Sequence, residues 1–253
     1  MKRLASLLAI TMAVIALPAL AQTRVPHAQS FASDFQTVPV MGNVPGIGST
    51  FQTYVALFNP TASAYPITVS LFDAAGARHD AIVTLAAGEL KTYTNFLDAV
   101  FQGYHGGGAV TFRSSDSAGG TRNNRFIVDA EVRTSGTNFG TSVPALEFPG
   151  TSSRSFSPGV TVGAAARTNF GCFDQSGSPN SIKVTVLDSS GTQTLGTQTI
   201  NLGANAWTQT ALTTIVSNGT LQFDPSDSAV CYAVVVDNSS NDGRFVMASE
   251  YRP

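Results

Sequence analysis

Charge is scarce in this chain: 253 residues carry only 14 Lys and Arg, 16 Asp and Glu, and three histidines. No basic run or stripe occurs, so nucleic acid is not an expected partner, because phosphate backbones are held by clustered Lys and Arg. His27, His79 and His105 share no ligand spacing such as His-x-x-x-His, which leaves neither a zinc site nor a histidine-based triad to expect. Glu89, Glu131, Glu147 and Glu250 have no acidic neighbour at general acid–base spacing, and no Gly-x-Ser-x-Gly elbow occurs. The glycines of Gly103–Gly108 lack the lysine and following helix of a phosphate loop. No catalytic residue is assigned, and a non-enzymatic protein is expected.

Long hydrophobic runs are also missing, with one exception. Lys2 and Arg3 precede an apolar stretch from Leu4 to Leu17, then Pro18 and the small-residue site Ala19-Leu20-Ala21. This predicts a cleavable signal peptide over residues 1–21, with an uncleaved anchor as the alternative. No later segment has the roughly 18 apolar residues that a spanning helix needs, so no membrane insertion is expected after signal removal. The expected location is secreted, periplasmic or at the cell surface of a bacterium. Taking Lys2 and Arg3 from the 14 basic residues leaves 12 against 16 acidic ones, a net charge near −4.

Cysteine is limited to Cys172 and Cys231. In an exported chain the pair predicts a disulfide, with two buried free thiols as the alternative. Closing a loop of this length is worth about 4 kcal/mol in the chain-entropy account.

What the chain does have is an internal repeat. Residues 51–76 fall on residues 166–191 at a constant offset of 115, with identities Thr53/Thr168, Phe58/Phe173, Ser63/Ser178, Ile67/Ile182, Val69/Val184, Asp73/Asp188 and Gly76/Gly191. Asn59/Asp174 and Leu71/Val186 keep their character, and Cys172 stands where Leu57 stands in the first copy. Placing the run 126–132 on 230–236 brings Cys231 near Val128, so an apolar pair in one copy answers a cysteine pair in the other. A period this long indicates a duplicated domain rather than a solenoid unit.

Short β-branched and aromatic runs separated by turn residues fill both copies, and Tyr65, Ile67, Val69 and Leu71 alternate with Pro66, Thr68 and Ser70. This predicts an all-β protein of two tandem antiparallel β-sandwiches. Asn95–Phe101 and Thr210–Val216 each read as one short helical turn, led by a residue able to cap it. The expected organisation is an extended leader over 22–36, a first domain over 37–148, a linker over 149–157 rich in Pro, Gly and Ser, and a second domain over 158–253.

Two ligand sites are candidates. Tyr93, Phe96, Phe101 and Tyr104 cluster at one end of the first domain and would stack on a sugar ring if exposed; most aromatics of such a sandwich belong to the core. Asp237, Asn241 and Asp242 sit in the densest run of oxygen ligands, the one place calcium would suit. The simpler reading of that run is a hairpin loop with an Asp-Gly turn, and no cofactor is expected. Trp207, the only tryptophan, is read either as part of a carbohydrate platform or as a plug of the second core.

Cys172, Trp207 and Cys231 follow the order cysteine, tryptophan, cysteine used by immunoglobulin domains, with the tryptophan 35 residues after the first cysteine. The tandem resembles the immunoglobulin-like β-sandwich modules repeated in bacterial secreted and surface proteins, over nearly all of residues 37–253. That resemblance implies spacer, adhesive or glycan-binding roles. The expected function is therefore an exported structural or adhesive protein, with other surface proteins, glycans or copies of itself as partners. The alternatives are a carbohydrate-binding module and a filament subunit whose Gln22–Gln36 segment completes a neighbour's sheet.

Overall fold

The computed structural model describes residues 32–46, 49–114, 124–135, 140–147 and 150–250. The expected signal peptide and residues 22–31 of the leader lie outside the described residues. The chain is all-β, with antiparallel pairing throughout its strand ladders.

The first half runs β1 (Phe35–Gly46), β2 (Ser49–Phe58), β3 (Tyr65–Phe72), β4 (Arg78–Leu85), β5 (Leu90–Tyr93), α1 (Phe96–Val100), β6 (Gly106–Ser114), β7 (Ile127–Thr134) and β8 (Gly140–Val143). Its strands join in the order β4-β3-β6-β1-β2-β7-β8, with β5 also on β2. The second half repeats the order in two sheets. It runs β9 (Ser155–Val162), β10 (Ala166–Asp174), β11 (Asn180–Leu187), β12 (Thr194–Leu202), β13 (Trp207–Ala211), β14 (Val216–Pro225), β15 (Ala229–Asp237), β16 (Gly243–Met247) and β17 (Ser249–Glu250). One sheet is β12-β11-β14-β9-β17 and the other β13-β10-β15-β16.

The halves differ in one connection. β1 spans twelve residues, shifts register between Val38 and Met41, and pairs with β6 along its first part and with β2 at its end. It therefore laces the two layers of the first half into one continuous sheet. β9 spans eight residues, contains Pro158 and Gly159 (φ +76°), and has no ladder to β10, so the layers of the second half stay separate.

The core of each half comes from the period-two faces of both layers. Ile67, Val69 and Leu71 on β3 face Val55 and Leu57 on β2, and all five are fully buried. Ile182, Val184 and Val186 on β11 do the same against Phe170 and Cys172 on β10. Burying such side chains contributes about 1.5–3 kcal/mol each.

The identities of the repeat mark conserved bonds within it. Thr53 donates its hydroxyl to the Gly42 carbonyl (3.1 Å) and accepts from the Gly42 amide (2.7 Å). Thr168 makes the same pair of bonds to Thr161, at 2.7 and 3.1 Å. Fully buried Asn59 and Asp174 each accept from the backbone of the loop that follows, and Ser63 and Ser178 each bond a hydroxyl two residues upstream. Asp73 and Asp188 both accept from amides across a turn that closes at Gly76 (φ +79°) and Gly191 (φ +73°). Those positive φ values suit glycine.

Cys172 and Cys231 form a disulfide. The two residues pair directly across β10 and β15, and Leu57 and Val128 occupy the same register across β2 and β7. The apolar pair and the cysteine pair are thus one position in two copies. The bridge joins neighbouring strands of one sheet, whereas an immunoglobulin bridge joins the two sheets.

Only one of the two expected helical turns forms. Asn95 caps α1, its side chain accepting from the Asp98 amide. Over Thr210–Val216 the chain stays extended: Thr210 and Ala211 complete β13, and the Leu212 amide donates to the Thr168 carbonyl. Thr213, Thr214 and Ile215 are β-branched and lose rotamer freedom in a helix, which favours the extended path. The leader's last residues, Phe35 and Gln36, already belong to β1, and the expected linker enters β9 at Ser155.

Candidate binding cleft

The outer face of the sheet β13-β10-β15-β16 meets the first half. Tyr232 is fully buried and belongs to the core cluster of the first half, with Trp207, Val234, Phe245 and Met247 packed against the same cluster. Tyr232 lies across Gly171, where an added Cβ would stand 2.5 Å from its hydroxyl. That close approach requires glycine.

Hydrogen bonds lock the contact. The Trp207 amide donates to the Asp73 carbonyl (3.1 Å), its indole Nε1 to the Tyr232 hydroxyl (3.1 Å), and that hydroxyl to Gln209 Oε1 (3.1 Å). The indole also rests on Gly107, where a Cβ would stand 2.8 Å from the ring. Burial pushes the Tyr232 phenol far above its ordinary titration range, so it stays a neutral donor and acceptor. Phe173 adds a ring contact to Phe72 at 5.2 Å. Trp207 therefore plugs the first core, not the second, because β13 turns its indole outward from its own half.

Beside this contact the halves leave a cleft of about 360 Å³, within the size range of small-molecule sites. Its floor and walls include Met41, Phe51, Val143, Trp207, Val234 and Phe245. Arg167, Asn169, Gln209, Asn241 and Asp242 provide its polar groups. Arg167 donates to Asn238 Oδ1 (3.1 Å) and Asn241 Oδ1 (3.0 Å), both neutral acceptors.

The loop expected to suit calcium forms one edge of this cleft. Asp237 and Asn241 are engaged otherwise. Asp237 Oδ1 accepts from the Ser239 hydroxyl and amide and from the Ser240 amide and hydroxyl, which hold its carboxyl well below the usual range. Asn241 takes φ +59° and accepts from Arg167, while Asp242 Oδ1 accepts from the Gly243 amide (2.9 Å). These bonds close a hairpin between β15 and β16. Among the described residues, no group of three or more His, Cys, Asp or Glu is placed to hold a metal ion.

The aromatic set is brought together only in part. Phe96 is fully buried, with Tyr93 edge-on at 5.2 Å and Phe101 at 6.3 Å. Tyr93, Phe101 and Tyr104 are half-buried against the same core. The expected stacking platform thus has Phe96 inside it, as the α1 turn points that ring at Phe112. Tyr104 sits apart, its ring 5.6 Å from His79.

His79 Nε2 is 3.1 Å from Asp73 Oδ2, and His105 Nδ1 is 3.2 Å from Asn43 Nδ2; His27 lies outside the described residues. A second depression of about 630 Å³ borders Phe72, Phe173 and Gln175, with Arg78 and Glu147 on its edge. Arg78 is already paired with Asp80 at 2.7 Å, and Glu147 accepts from Ser33.

Fold and cleft together define an all-β protein of two interlocked halves, one of them stapled by a disulfide. No protein-family model matches the chain, and no curated protein matches it. No helix among the described residues is long and apolar enough to cross a membrane.

Proposed function

We propose that this is an exported, non-enzymatic protein whose tandem β-sandwich halves serve as a structural or adhesive element at the cell surface or outside the cell. The observation that carries the proposal is the interlock: Tyr232 and Trp207 of one half complete the core of the other. A load-sharing or adhesive body needs its units held in fixed relation, and loosely strung modules lack such a contact. The disulfide supports an oxidising destination, as does the signal-like segment ahead of the fold. Other surface proteins or copies of itself are the proposed partners.

Cells with and without the protein, compared for attachment to each other and to an inert surface, test the adhesive role. Loss of attachment is the expected result, and equal attachment overturns it. A hydrolytic activity of the purified chain that vanishes in Asp174→Asn, a replacement of its fully buried carboxylate, overturns the non-enzymatic reading.

A further inference from the structure

The geometry points to the cleft between the halves as a binding site for a small amphipathic anion, with its apolar body on the Trp207–Phe245 wall and its charged head on Arg167. The inference goes beyond the structural role and holds whether or not the protein is adhesive.

Three observations carry it. First, the deep part of the cleft is apolar: Met41 is fully buried and Val143 and Val236 nearly so, while Trp207 and Phe245 present half-buried rings. Such a surface favours hydrocarbon over a polyhydroxylated ligand. Second, Arg167 is half-buried and, among the described residues, its guanidinium donates to the amide oxygens of Asn238 and Asn241. Its guanidinium is aimed by two neutral acceptors, and none of the ion pairs among the described residues involves it. A forked, weakly hydrated cation of this kind is suited to a carboxylate or sulfonate head. Asp242 lines the same edge, but its carboxylate is directed at the Gly243 amide. Third, about 360 Å³ holds about a dozen non-hydrogen atoms at roughly 30 Å³ each. That matches a medium-chain carboxylate, and a full-length lipid tail would extend beyond the cleft.

The test uses decanoate as the probe and Trp207, the only tryptophan, as the reporter. Titration of the purified chain below the micellar range should give a saturable change in tryptophan fluorescence with one site by calorimetry. Decanol, with the same body and no charge, should bind about tenfold more weakly, the worth of one charge-assisted bond. Arg167→Gln should abolish that preference for the charged probe. Asp242→Asn should strengthen decanoate binding a few-fold by removing a like charge, and it needs no change in the core. No saturable binding, equal affinity for decanoate and decanol, or tighter binding of a neutral oligosaccharide overturns the inference. If Arg167→Gln fails to fold, the decanoate-to-decanol ratio and Asp242→Asn still decide it.

Discussion

β15 and β7 occupy the same place in the two halves, yet their outer faces have opposite fates. On β7 the outward residues are Asp129, Glu131 and Arg133; on β15 the same register holds Tyr232, Val234 and Val236. In the first set Asp129 is exposed, and half-buried Arg133 pairs with Glu131 at 2.6 Å and lies 4.0 Å above the Tyr54 ring. In the second set Tyr232 is fully buried in the core of the other half, Val234 packs against that core, and Val234 and Val236 line the cleft between the halves. The neighbouring edge strands repeat the contrast: Trp207 stands opposite Phe173, and Leu90, largely exposed, stands opposite Phe58. One fold thus yields a free module or a docked one by changing a handful of outward side chains, because the inward face alone specifies the sandwich.

Exchanging residues across that comparison should break it most severely at Tyr232. Tyr232→Asp places a carboxylate in a fully buried site, removes the partner of the Trp207 indole, and should cost about 4 kcal/mol or more. The reverse change, Asp129→Tyr, lies on a solvent face and should shift stability by no more than about 0.5 kcal/mol. Denaturant unfolding of both variants checks the pair. Equal losses would mean that the two faces are not differently covered.

The disulfide gives the next largest effect. Replacing Cys172 by Leu and Cys231 by Val imports the pair that Leu57 and Val128 form at the same register. The double variant should unfold about 3–4 kcal/mol more easily than the oxidised parent, the loss of loop closure. It should match the reduced parent more closely, since the imported side chains fill the site. Unfolding with and without reductant measures both differences.

How much of this was legible before the structure depends on range. Thr53/Thr168 and Asp73/Asp188 bond within their own hairpins, so short-range sequence identity found them. The register of the cysteine pair was readable too, within one residue, from the aligned strands. The docked face was also written in the sequence: Tyr-Ala-Val-Val-Val over 232–236 lacks the alternation of Asp-Ala-Glu-Val-Arg over 129–133. What stayed hidden was which body covers it. Trp207 fits either core by composition, and only the three-dimensional approach of Gly107 to its ring decides. The helical turn over Thr210–Val216 failed for a related reason: between β13 and β14 the segment stays extended, with Leu212 buried and Ile215 largely exposed, as alternation between faces places residues three apart.

Gly76 and Gly191 sharpen the comparison more gently. Both hold positive φ, so an alanine at either costs about 1 kcal/mol in backbone strain. At Gly76 the added Cβ would also stand 2.5 Å from the Ala204 carbonyl of the other half, whereas Gly191 is open. Gly76→Ala should therefore destabilise by about 2–3 kcal/mol and Gly191→Ala by about 1 kcal/mol. Equal thermal shifts would place the Gly76 turn away from the other half.

The smallest difference concerns the acids that open these same turns. Burial opposes ionisation of Asp73, but the hydrogen bond from His79 and the Ala77 and Ala75 amides outweigh it and hold its carboxyl below the ordinary range. At Asp188 the Ser190 hydroxyl leads, joined by the Gln193, Thr192 and Gly191 amides, with no histidine involved. A depressed folded-state value means stability that is present above the ordinary carboxyl range near 4 and is lost as pH falls through the lower folded value. Both turns should therefore loosen only in acid, below the ordinary carboxyl midpoint. His79→Ala should raise the Asp73 midpoint toward that of a free aspartate while leaving Asp188 unmoved, a result that carboxyl-resolved NMR titration reads directly. A parallel rise at Asp188 would trace the effect to the whole fold rather than to the His79–Asp73 contact.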